Sequence, residues 1–201
     1  RVKPYHQSTN EPKAAMTLRI LGHRPLKTLP GSLTRPTPAR VRAAVFNIWQ
    51  GTIAGCHWLD LCAGSGAMGA EALCRGALRV VGIEQAPKAV NIVRHNWQGL
   101  AQPHQEIQVW KGDVLQMMPR LQGQAFHRIY FDPPYQSDRY EPVLQLLQAL
   151  SLLTLEGEMA VEHDPRRHFP PPDRWEIRRE KVYGNTAVTF YGWQNTLSGG
   201  L

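Results

Sequence analysis

The sequence predicts an α/β fold: a seven-stranded, mostly parallel sheet with helices on both faces, preceded by a small N-terminal β-hairpin. Three observations carry this. From Gly55 onward, apolar runs of strand length alternate with segments of helical period, the pattern of successive βα units. The first apolar run opens into a glycine-rich turn, "LDLCAGSGAMG", of the kind that joins a strand to a helix N-terminus. The connections after Gly55 are short, so consecutive elements pack as neighbours.

Each element follows in order. Residues 16–30, "MTLRILGHRPLKTLP", read as two short strands around Gly22. In "TRPTPARVRAAVFNIWQG", Thr37 suits a helix cap and Pro38 the first turn; Val41, Ala44, Val45 and Ile48 recur at helical spacing, and Gly51 stops the helix. "CHWLDLC" (56–62) is the first sheet strand and "AMGAEALCRG" (67–76) a helix closed by Gly76. "RVVGIE" (79–84) is a strand and residues 86–100 a helix; "EIQVWKG" (106–112) is a strand and "DVLQMMPRL" a short helix. "HRIYFD" (127–132) is a strand, "YEPVLQLLQALSLL" (140–153) a helix and "GEMAVEHD" (157–164) a strand. "WEIRREKVYG" and "TAVTFYGW" form a closing antiparallel hairpin that turns at Gly184 and Asn185. The organisation expected is a flexible tail over 1–15, a basic hairpin and helix over 16–54, the main domain over 55–194 and a flexible C-terminus over 195–201.

Composition narrows the function. With 42% hydrophobic and 19% charged residues in 201, the chain can bury a core and is not a disordered polyelectrolyte. No apolar run reaches 18 residues, and the N-terminus lacks the apolar segment of a secretory signal. Cys56, Cys62 and Cys74 form no CxxC pair and are odd in number, which favours buried thiols in a reducing, cytoplasmic setting and no metal site. The net charge of +7 is concentrated: residues 1–42 hold nine Lys and Arg against the single acid Glu11. Arg24, Lys27, Arg35, Arg40 and Arg42 are therefore candidates for phosphate contact on a polyanion.

Two motifs carry chemistry. Gly64, Gly66 and Gly69 match G-x-G-x-x-G, a turn that lets a ligand approach the backbone and points helix N–H groups at it. Asp60 on the approach to that turn would repel a diphosphate and suits an ammonium or sulfonium group. Glu84, 24 residues later at a strand end, can accept hydrogen bonds from two ribose hydroxyls. Asp113 can cap the following helix or accept from an adenine amine. The second motif is "FDPPY" (131–135). Proline fixes φ and donates no hydrogen bond, and the residue before proline is held extended. Asp132, Pro133 and Pro134 thus predict a stiff turn offering a carboxylate and a carbonyl to a flat ring's NH₂ group. Tyr135 supplies a face on which that ring stacks. Two acceptors on an exocyclic amine favour the charge that develops as it attacks a methyl donor. Glu162, His163 and Asp164 end a strand at the functional edge and read as loop caps, with a pocket wall as the alternative. Trp49, Trp58 and Trp97 read as core, and the scattered histidines as surface or satisfied core residues.

"TRPTPARVR", "LDLCAGSGAMGAEALCRGA", "VGIEQ", "FDPPY" and "VYGNT" together resemble the RsmD family of Rossmann-like class I methyltransferases. That family methylates the N2 amine of a guanine in bacterial 16S ribosomal RNA with S-adenosylmethionine. The resemblance spans residues 18 to about 191. It implies cofactor contacts at Asp60, Ala63, Gly64, Ser65, Gly66, Glu84, Gln85, Asp113 and Val114. It implies substrate-amine contacts at Asp132, Pro133, Pro134 and Tyr135, and it places Arg35, Thr37 and Arg40 near the cofactor or RNA pocket. The implied partner is 16S ribosomal RNA or the small subunit and its precursor, with no membrane and no metal. Two departures stand out: "ILGHRPLKTLP" is poorer in glycine and basic residues than the family's hairpin, and Tyr135 replaces the phenylalanine of several members. The alternatives are a DNA amino-methyltransferase acting on adenine N6 or cytosine N4, an NAD-dependent oxidoreductase, and a non-catalytic RNA-binding module.

Overall fold

The computed structural model describes residues 18–28 and 37–194; the expected tails at 1–15 and 195–201, and Arg35, lie outside them. A two-stranded antiparallel sheet, β1 (Leu18–Arg19) and β2 (Pro25–Leu26), comes first. Its strands are only two residues each because a 3-10 turn over Leu21–His23 occupies the intervening chain. Next is α1 (Ala39–Ile48). The main sheet contains β3 (His57–Leu61), β4 (Arg79–Glu84), β5 (Glu106–Lys111), β6 (Phe126–Phe131), β7 (Leu153–His163), β8 (Trp175–Tyr183) and β9 (Thr186–Trp193). Between them run α2 (Ala67–Cys74), α3 (Pro87–Gln98), α4 (Val114–Met117) and α5 (Tyr140–Ala149).

The strands lie in the order β5-β4-β3-β6-β7-β9-β8. The pairs among β3 to β7 are parallel, and β9 runs antiparallel to both neighbours, inserted between β7 and β8. The expectation of two antiparallel closing strands holds for their pairing with each other. Only β9, however, opposes the sheet direction. α5 stops at Ala149, four residues short of the sequence expectation, because Ser151 takes positive φ and the chain re-enters the sheet at Leu153.

Strand alternation sorts the apolar residues onto two faces. Trp58, Val80, Tyr130, Ala160, Val188 and Phe190 pack with α1, α2, α3 and the hairpin residues Ile20 and Leu26. Leu59, Leu61, Ile83, Phe131 and Val161 pack with α4 and α5 on the other face. Trp97 shows how tight the first layer is. Its indole N–H donates to the Gly66 carbonyl at 2.8 Å, and a Cβ on Gly69 would stand 2.2 Å from its ring. The third glycine of the turn is thus required by helix packing, where any side chain would overpack the layer.

Sheet order reverses at β3 and β6, so the carboxyl ends of these strands diverge into a crevice. That is the place where open α/β sheets bind ligands.

Candidate active site

A cleft of about 750 Å³ opens at this edge, lined by the turn after β3, the ends of β4, β5, β6 and β7, and Thr37. The parallel register pairs Asp60 with Tyr130 and Phe131 with Val161. With period-two alternation, Asp60, Tyr130, Asp132 and Glu162 fall on one face and converge on the cleft.

On one side lies the glycine turn. Asp60 is 2% exposed, and its carboxylate accepts from the Gly69 amide at 3.0 Å. Burial, with a smaller contribution from the Glu84 charge, raises its pKa to about 8. A buried carboxylate in this state is suited to a cationic ligand group that would repay its desolvation. Gly64, at φ +58°, turns its amide onto Glu84 at 2.8 Å, and the Ala86 amide donates to the other Glu84 oxygen at 2.8 Å. Glu84 is therefore no solvated strand end: it is buried and ties the β3 turn to the β4 turn, with each oxygen keeping a second lone pair for a ligand. Ala63, Ser65, Gln85 and Val114, which the resemblance names as cofactor contacts, line the cleft. Gly66 does not; its carbonyl is spent on Trp97. Asp113 caps α4 by accepting from Leu115 N at 3.0 Å, and its other oxygen pairs with Arg139. Arg139, which sequence reasoning missed, spans the cleft from the foot of α5.

On the other side lies the Asp-Pro-Pro-Tyr turn. The Pro134 carbonyl accepts from Ser137 N at 2.7 Å, which closes it. Pro133 is buried, Pro134 is exposed, and Tyr135 is part-buried against the cleft. The Tyr135 hydroxyl donates to Glu162 at 2.9 Å and lies 2.7 Å from the Thr186 hydroxyl. Of the two sequence readings of Glu162 the pocket wall holds: it lines the cleft and is 3% exposed. The capping role falls to Asp164, which accepts from Arg166 N at 2.9 Å. Register puts Glu162 at the cleft: it stands one residue past the Phe131–Val161 pair, beside Asp132.

The basic segment divides. Thr37 does not cap α1: Pro38 holds that place without a side-chain bond, and Thr37 donates across to Asp132 at 3.4 Å. Arg24, Lys27 and Arg40 are exposed, with the Arg40 guanidinium 5.9 Å from the centre of the Tyr183 ring. Arg42, expected to meet phosphate, is 5% exposed. It lies 3.6 Å from Glu71 and donates to the Arg19 carbonyl at 2.6 Å. Helical period explains this, since Arg42 stands three and four residues before buried Val45 and Phe46 and shares their face. Arg42→Met should therefore lower stability by roughly 1–3 kcal/mol through the lost buried hydrogen bond, read as a fall in Tm. Replacing Arg24, Lys27 and Arg40 together by Gln should leave Tm unchanged and flatten the salt dependence of polyanion binding.

Among the described residues no cluster of three or more His, Cys, Asp and Glu could hold a metal ion, and no helix is long and apolar enough to cross a membrane. Cys62 lines the cleft, and burial pushes its thiol pKa up, away from nucleophilic use.

Comparison with known proteins places these features in context. A family model described as conserved hypothetical protein 95 matches residues 18–192. YlbH of Bacillus subtilis is 31% identical over 171 residues, covering 84% of this chain and 92% of that protein. Ribosomal RNA small subunit methyltransferase D of Haemophilus influenzae is 29% identical over 185 residues, covering 90% and 96%. The solved structure of yhhF from Escherichia coli superposes with a TM-score of 0.77 at 30% identity, covering 89% of this chain and 98% of that one.

Proposed function

The chain belongs to the conserved hypothetical protein 95 family, that of the RsmD methyltransferases, and from that premise we propose that it methylates the exocyclic N2 amine of a guanine in 16S ribosomal RNA. The observation that carries the reading is the convergence of a buried, cation-seeking Asp60 and the Asp132–Tyr135 turn on one cleft. The cofactor is S-adenosylmethionine. Its sulfonium supplies a methyl group to a nucleophile, and the residues present suit it. Asp60 would meet the cationic amino-acid end, Glu84 would accept from the ribose hydroxyls, and the Gly64 turn would present close backbone. Ala63, Ser65, Gln85 and Val114 form walls around it. The Asp113 cap and its pair with Arg139 lie where the base of the cofactor would be held.

The chain's own work is on the nucleobase. The Asp132 carboxylate and the Pro133 carbonyl accept the two N–H bonds of the amine, and the Tyr135 ring holds the base plane. Those acceptors stabilise positive charge developing on nitrogen, and fixed orientation supplies much of the remaining acceleration. Methylation makes the nitrogen strongly acidic, and its proton leaves to Asp132 or to water. Arg24, Lys27 and Arg40 offer exposed cations to the RNA backbone. Arg35 belongs with them by sequence and lies outside the described residues. A cytoplasmic location and action on the small subunit or its precursor follow from this reading.

Asp60 makes the reading testable by pH. The folded protein holds its proton between about pH 4 and 8, where the unfolded chain does not. This group therefore lowers stability as pH rises through that window. Binding of a cationic ligand against ionised Asp60 should release close to one proton at about pH 6 and almost none well above pH 8. Titration calorimetry with S-adenosylmethionine in buffers of different ionisation enthalpy reads this directly, and Asp60→Asn should abolish it. Substrate class is tested by isotope-labelled S-adenosylmethionine offered with ribosomal RNA or duplex DNA. Label in RNA supports the proposal and label in DNA alone overturns it. A thermal shift with NADH and none with S-adenosylmethionine would favour an oxidoreductase.

A further inference from the structure

Three tyrosine hydroxyls meet at one residue of β7. Tyr130 donates to one Glu162 carboxylate oxygen at 2.6 Å, Tyr135 donates to the other at 2.9 Å, and Tyr140 donates to the Glu162 main-chain carbonyl at 3.1 Å. These tyrosines bracket the Asp-Pro-Pro-Tyr turn. Tyr130 lies on β6 before it, Tyr135 ends it, and Tyr140 begins α5 after it. The far side of the turn is held too: Arg167 donates to the carbonyls of Tyr135 and, at 3.0 Å, Ser137.

Proline stiffness fixes the turn's φ angles but leaves the ring of Tyr135 free to rotate about χ1 and χ2. Stacking on a base requires one ring plane. The hydroxyl oxygen lies on the χ2 axis, so its bond to Glu162 and its contact with Thr186 fix χ1 directly and the ring plane through the coplanarity that conjugation imposes on a phenol O–H. Burial and the adjacent Glu162 charge push the pKa values of the Tyr130 and Tyr135 phenols upward. Both therefore stay protonated and donating over the working pH range.

We propose that Glu162 is a positioning residue: it acts through the Tyr135 hydroxyl to set the plane on which the target base stacks. This rests on the reading that the base enters at Tyr135, and it goes beyond that reading by assigning a function to the neighbouring strand. It also gives this chain's tyrosine, in place of phenylalanine, a physical use.

The test is a double-mutant cycle. Glu162→Met removes both acceptor oxygens at similar volume, while Tyr135→Phe removes the hydroxyl and keeps the ring. Each single change should slow single-turnover methylation of ribosomal RNA about tenfold or more, as expected for a misplaced reacting group, with S-adenosylhomocysteine affinity unchanged. The double variant should be little slower than Glu162→Met alone, because both changes remove the Tyr135–Glu162 bond. Multiplicative losses would overturn the proposal, as would a wild-type rate in Tyr135→Phe. A second measurement needs no substrate and so separates this claim from the reading beneath it. With ¹³C-labelled tyrosine, the Tyr135 ring signals should report one χ1 rotamer in the wild type and rotamer averaging in Glu162→Met. Should the wild type methylate no RNA, the proposed function fails while the ring signals still decide the role of Glu162: unchanged signals overturn it.

Discussion

Asp132→Ala should cut the rate of methyl transfer to ribosomal RNA by about 10²–10³-fold, the usual cost of removing one preorganised group at a developing charge. The cofactor should bind as before, because the residues that hold it lie across the cleft on β3, β4 and β5. The side chain accepts from Thr37 at 3.4 Å and makes further contacts, so its loss also loosens the end of α1 from the β6 turn. Asp132→Asn separates the two effects. It keeps one oxygen as an acceptor and the packing volume but gives up the charge, so its rate should fall between those of wild type and Asp132→Ala. Single-turnover kinetics with saturating RNA and an independent measure of cofactor affinity check both statements. Equal rates for Asp132→Ala and wild type would remove Asp132 from the chemistry.

Glu84→Gln should have the largest effect on cofactor binding. In the wild type each carboxylate oxygen accepts from one main-chain amide, Gly64 or Ala86. A glutamine turns its NH₂ group toward one of them, setting donor against donor in a buried place at a cost of about 1–3 kcal/mol. The turn that cradles the cofactor then relaxes, and one ribose acceptor becomes a donor. Affinity should fall roughly 10- to 100-fold, and Tm should fall with it. Calorimetry and thermal melting measure the two, and a variant with wild-type affinity would show that Glu84 serves the fold alone.

Much of this site was legible in the sequence because its parts obey local rules. A glycine turn after an apolar run, an acid at a strand end and two prolines after an aspartate each depend on backbone geometry that neighbouring residues dictate. The mostly parallel sheet with helices on both faces followed from βα alternation, and the comparison with known methyltransferases agrees. What was not legible depended on register between distant strands. Glu162 stands beside Asp132 because β7 pairs with β6 in one register, which no local pattern reveals. Arg139 reaches Asp113 from the foot of α5, and Thr37 serves Asp132 instead of its own helix. Arg42 was misread because charge suggested a surface while its spacing from Val45 and Phe46 put it on the buried face of α1. Gly66 was assigned to the ligand when its neighbour is Trp97, 31 residues on.

The central claim is that one rim of the sheet holds a methyl-donating cofactor against a guanine amine. The most direct measurement is nucleoside mass spectrometry of 16S ribosomal RNA incubated with the protein and methyl-labelled S-adenosylmethionine. The account predicts labelled N2-methylguanosine at a single nucleotide, absent with Asp132→Ala. Label on adenosine N6, on cytidine N4 or on a ring carbon would contradict it.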